Sequence, residues 1–175
     1  MRTHSEVPGA RRLAWSIAAA TIVWLSAAAL AGAWAQGPAR ENLDNFPKSQ
    51  VEISAADGPQ HFNIWIADTT ARSEQGLMYV TGLAHDWGML FPRNNNGPMA
   101  MWMKNTVIPL DMLFLDAEGA IVYIRRSATP QSENIIKVPA PITTPIAFVL
   151  ELAGGECDRR HITQGDHLRI ISPGG

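Results

Sequence analysis

Apolar and polar residues alternate in two short segments from Val51 onward, and compact apolar runs follow further along the chain. Val51–Ser54 and Phe62–Ile66 place apolar side chains at every second position, and Asp57-Gly58-Pro59 lies between them, which predicts a strand, turn, strand unit. The period breaks over Ala67–Val80. There Asp68, Thr69 or Thr70 can cap a short helix through Ala71–Gln75, and Gly76 can end it in a left-handed conformation. Trp87–Phe91 is a compact apolar run suited to a buried strand, and the Asn94–Pro98 run NNNGP is a loop signal. Met112–Asp116 and Ala120–Arg125 flank Gly119, which supplies a hairpin turn that β-branched residues could not adopt. Thr129–Pro145 holds four prolines and predicts a surface crossing with one extended piece at Ile135–Val138. Ile146–Leu152 is an apolar run broken only by Glu151, a short helix or turn follows Ala153-Gly154-Gly155, and His167–Ile171 is the last strand. The expectation is a mainly β domain: a compact β-sandwich or partly closed barrel of about seven to nine short strands with one or two short helices.

The first 35 residues read differently. Arg2, Arg11 and Arg12 precede an uncharged, Ala-rich run from Leu13 to Ala33, and Ala33-Trp34-Ala35 offers small residues at the positions a signal peptidase reads. This predicts a secretory signal over residues 1–35, cleaved near Ala35/Gln36, with export to the periplasm or medium and only transient membrane contact. The competing reading is an uncleaved anchor, since about 20 apolar residues can span a bilayer. Removing residues 1–35 from 175 leaves 140, one domain's worth, comprising a flexible polar lead-in over 36–49 and a single β-rich domain over 50–175. The loss of three arginines and one glutamate leaves 11 basic against 15 acidic residues. With no basic run, a nucleic-acid partner is not expected. Cys157 is the only cysteine, so no internal disulfide is possible and a small side chain in a loop is the ordinary reading.

Five ordered segments also carry a resemblance. Gly76-Leu77-Met78, Gly88-Met89-Leu90-Phe91, Trp102–Thr106 (WMKNT), Ile108-Pro109-Leu110-Asp111 and Leu150–Gly154 (LELAG) together resemble the signatures of the uncharacterised domain of unknown function 192 family, over about Val51–Ile171. The resemblance implies a compact, mostly β domain of jelly-roll-like character and no established reaction. Extra methionines before Trp102 depart from the family pattern.

Candidate chemistry concentrates in Pro98–Asp116. Read as a strand, it puts Met99, Met101 and Met103 on one face and Ala100, Trp102 and Lys104 on the other. Thioethers select Cu(I), so the methionine face is a candidate soft-metal site; the ordinary reading is flexible core filler. No other cofactor is expected, and His61, His85, His161 and His167 lack ligand spacing. Lys104, Asn105, Thr106 and Asp111 form a polar island beside Trp102. It can be a clasp, through a Lys104–Asp111 ion pair or Asp111 accepting backbone N–H groups in the turn, or a small-molecule site. Glu151 either faces solvent at an edge or sits inside with Lys104, Arg125 or Arg126. The leading functional reading is an exported, non-catalytic domain that binds a small molecule or a protein partner at Trp102–Asp111 with Met78, Met89 and Glu151 nearby. Alternatives are a hydrolase or lyase using Asp111 and Glu151, and Cu(I) binding at the methionine face. No Ser-His-Asp elbow, phosphate loop or HExxH supports an enzyme.

Overall fold

The computed structural model describes residues 40–93 and 99–171. The expected signal segment and the Asn94–Pro98 loop lie outside the described residues. No helix of the described residues is long and apolar enough to cross a membrane. The compact unit spans Glu41–Gly175.

Seven strands form one sheet: β1 (Lys48–Ala55), β2 (Gly58–Ile66), β3 (Trp87–Pro92), β4 (Leu110–Leu115), β5 (Ile121–Ala128), β6 (Phe148–Ala153) and β7 (His167–Ile171), in the order β5-β4-β6-β3-β2-β1-β7. Every pairing is antiparallel except β2 with β3. Two short helices, α1 (Thr70–Gln75) and α2 (Glu156–Arg159), complete the regular structure. Of the two expected architectures, the partly closed barrel is the one adopted: the sheet curls until its ends meet, through an Ala120–His167 bridge and a bond from Leu168 N–H to Gly119 C=O at 2.8 Å.

The hairpins follow the sequence pattern closely. Gly58 and Gly119 take φ of +107° and +88°, which glycine adopts without a Cβ penalty. Gly119 is needed for a second reason: a Cβ there would sit 2.3 Å from the Leu168 carbonyl oxygen. Helix α1 is capped at its start by the Thr69 side chain, which accepts from Arg72 N–H, and ends at Gly76 with φ of +47°.

Because side chains alternate on a strand, β3, β4 and β6 present two apolar faces. The inner face buries Leu90, Leu113, Leu115, Leu150 and Leu152 against Val51, Ile53, Phe62 and Ile64, closed at one end by Cys157 and Ile162. The outer face carries Met89, Phe91, Met112, Phe114 and Val149 and is roofed by Leu77, Met103 and Ile146 from the connecting segments.

Two expectations differ from the structure. The lead-in is packed from Glu41 onward: Leu43–Asn45 forms a 3-10 turn, Phe46 is buried, and Glu41 takes a two-pronged hydrogen bond from Arg72 at 3.0 and 2.8 Å. Arg72 also reaches Asp68 at 2.7 Å, so one guanidinium ties this segment to α1. The methionine segment is not a strand. Only Met101 bridges, to Ile136, because the chain on either side has no ladder partner.

Candidate functional site

Glu151 stands at the centre of the outer face. In register it lies between Met89 of β3 and Met112 of β4, both fully buried, and it is itself 4% exposed. No hydrogen bond or ion pair reaches its carboxyl from the described residues. Burial alone pushes that carboxyl up to about 8, because nothing replaces the water that would solvate the anion.

Above Glu151 is a cleft. One wall is the end of α1 and the turn after it, Ser73 to Met78; the other is Met101, Trp102, Lys104 and Thr106, with Phe91 in the floor. The cleft measures about 260 Å³, much of it open to solvent. Its polar lining includes Glu74, Lys104, Thr106 and Glu151. Lys104 Nζ lies 5.3 Å from the centre of the Trp102 ring, so its ammonium rests on the indole at the rim and not on Glu151. Trp102 is 41% exposed. Thr106 is buried, with a 3.5 Å contact from its hydroxyl to the Lys104 carbonyl.

Backbone strain gathers beside this cleft. Tyr79 and Asn105 adopt φ of +63° and +57°, and Tyr79 N–H donates to Asn105 C=O at 2.8 Å. Asn tolerates this region through its short polar side chain, whereas a tyrosine there is uncommon.

Of the residues singled out in the sequence, Trp102, Lys104, Thr106, Met101 and Glu151 meet in the cleft. Asn105 shapes the rim through its backbone, with its side-chain amide 3.7 Å from the Met78 sulfur. Met99 lines a separate recess with Arg93 and Lys137, and Met103 is fully buried in the core. The Met99/Met101/Met103 face expected for Cu(I) is therefore not assembled, since its alternation required a strand. Among the described residues, no three His, Cys, Asp or Glu side chains form a metal-holding group.

Asp111 is elsewhere. It is fully buried and pairs in register with Leu152, which places it on the inner face, opposite to Glu151. Its carboxylate accepts from Ser127 N–H at 2.7 Å and Cys157 N–H at 2.8 Å. The first bond secures the register shift between β4 and β5, where Ser127 has φ of +43°; the second satisfies an N–H in the first turn of α2. The expected Lys104–Asp111 ion pair is not made, and the backbone N–H groups that Asp111 accepts come from distant Ser127 and Cys157 and not from its own turn. A general acid/base pair of Asp111 and Glu151 is not formed either, because the two carboxyls face opposite sides of one sheet. Cys157 is a buried core thiol, and not in a loop; burial, with Asp111 beside it, pushes its ionisation well above the usual range.

Sequence reading put Met78 near Trp102 but missed the rest of the α1 wall, Ser73 to Leu77. Gly76-Leu77-Met78 was visible as a motif, but only the fold carries it across the sheet to the Trp102 loop.

The family model DUF192, described as an uncharacterized ACR, matches residues 51–170. Among solved structures, the chain is similar to a candidate transcription regulator from Sinorhizobium meliloti 1021, at 40% identity over 71% of this chain and 95% of that one, with a TM-score of 0.66. It is also similar to a protein of unknown function from Novosphingobium aromaticivorans DSM 12444, at 32% identity over 77% of this chain and 94% of that one, with a TM-score of 0.67. Among curated proteins, none matches this chain.

Proposed function

This chain belongs to the domain of unknown function 192 family, and from that premise we propose that it is an exported, non-catalytic domain that binds a small ligand in the cleft over Glu151. The observation that carries this reading is the carboxyl of Glu151, buried on an apolar floor, open to the cleft and without a protein partner. A buried polar group left unmatched is destabilising by about 1–3 kcal/mol, and a ligand that completes it recovers that free energy on binding. Export rests on the charged start, the Leu13–Ala33 apolar run and the Ala33-Trp34-Ala35 site.

The name of the Sinorhizobium relative points to DNA, but the charge arrangement here supports a different partner. Arg72, Arg159, Arg160 and Arg169 are each engaged by a carboxylate, so they do not form a basic stripe for phosphates.

Native mass spectrometry of the full chain produced in an exporting bacterial host tests both parts. The expected species begins at Gln36 and carries a small-molecule adduct that Glu151→Gln loses. A species retaining all 175 residues would overturn signal cleavage and leave the anchored form. An adduct indifferent to Glu151→Gln, or no adduct at all even with added metabolite extract, would count against the cleft.

A further inference from the structure

The cleft holds an acid at its floor and a base at its rim that do not neutralise each other. Glu151 is fixed by its place in β6, between Met89 and Met112, so it cannot swing out. Lys104 is held aside on the indole of Trp102. The cleft that holds these opposite groups is apolar on both sides through Leu77, Met78, Phe91 and Met101. A ligand with only a positive group would satisfy Glu151 and be repelled by Lys104. One with only a negative group would satisfy Lys104 and bury an anion against a carboxyl. From this geometry we infer that the cleft binds a small zwitterion of the α-amino-acid type, its ammonium on Glu151 and its carboxylate on Lys104.

The inference rests on the proposed role of this cleft and deepens it. With Glu151 beneath and the mouth open to solvent, the ammonium end enters and the rest of the molecule lies against Trp102 and Met101. Charge also accounts for a proton. Ion pairing ionises Glu151, so below pH about 8 each ligand bound releases one proton, and affinity falls by up to tenfold for each pH unit below that point. The other titratable groups lining the cleft are Glu74, at its exposed edge, and Lys104. Asp111, on the neighbouring strand, faces the opposite side of the sheet.

The test follows the indole N–H signal of Trp102, assigned by Trp102→Phe, in NMR titrations of the mature chain at pH 8. The ligands are L-alanine, ethylamine, which lacks its carboxylate, and propionate, which lacks its ammonium, together with a mixed set of neutral sugars and dicarboxylates. L-alanine is expected to shift the signal at least tenfold more tightly than either half-molecule, and Glu151→Gln and Lys104→Met are each expected to weaken it at least tenfold. If ethylamine matches L-alanine, or Lys104→Met leaves alanine binding unchanged, the zwitterion assignment falls while the cleft remains a binding site. The same holds if only a sugar or dicarboxylate moves the signal. If no compound perturbs Trp102, the assignment and the binding role of the cleft fall together. The comparison of the three small ligands needs no variant, so loss of folding in either substitution leaves the test decisive.

Discussion

At the residue scale, two carboxylates that look alike in the sequence have opposite roles. Asp111 is matched by two backbone N–H groups on the inner face, and Glu151 is unmatched on the outer one. Both interrupt apolar runs, which the sequence showed. It offered Glu151 either solvent or a basic partner, because those are the two ordinary ways to place a charge; a buried carboxyl without a partner depends on what roofs the sheet. Stability should report this. The folded chain holds a proton on Glu151 that the unfolded chain, near the ordinary carboxyl value of 4.5, releases, so this contribution is fully present below pH about 4.5 and is lost as pH rises toward about 8. Glu151→Gln removes that titration, and in urea unfolding it should flatten the decline between pH 5 and 8 and stabilise the protein at pH 7 by on the order of 3 kcal/mol. An unchanged slope would mean that the carboxyl is solvated.

At the element scale, local patterning set the hairpins and long-range pairing set the rest. Gly119 was legible as a turn, since its neighbours could not take positive φ. Its approach to β7, 2.3 Å from a would-be Cβ to the Leu168 carbonyl, involves residues about fifty apart in sequence and left no local trace. Gly119→Ala should strain the turn and force the seam apart together, at about 2–4 kcal/mol. Chemical denaturation would measure the loss, and amide exchange should quicken at Leu168 and Ile121, whose N–H groups cross that seam. Protection unaltered at both would show that the closure contributes little. The opposite lesson comes from Met99–Met103, where alternation predicted a strand. A strand exists only where a neighbour completes its ladder, and Met101–Ile136 is the whole of it here.

At the scale of the whole molecule, the family match begins at residue 51 and the folded unit earlier, at Glu41. Phe46 is 2% exposed, and Glu41 binds both Arg72 and Gln75 of α1, which forms one wall of the cleft. A chain starting at Lys48 should therefore lose about 3–5 kcal/mol relative to one starting at Gln36, as for removing a buried phenylalanine. The shorter chain should also bind ligand more weakly at the cleft; equal melting of the two by calorimetry would make this segment dispensable. The sequence by itself determined the β class, nearly every strand and turn, the α1 caps and the short list that contained Glu151, because periods of two, glycine φ and capping are local properties. Only the tertiary structure decided that the sheet curls into a partly closed barrel, that Asp111 and Glu151 face apart, and that α1 and the Trp102 loop meet over Glu151. Those outcomes depend on register and on which segments roof which face, and both are set by contacts between residues far apart in the chain.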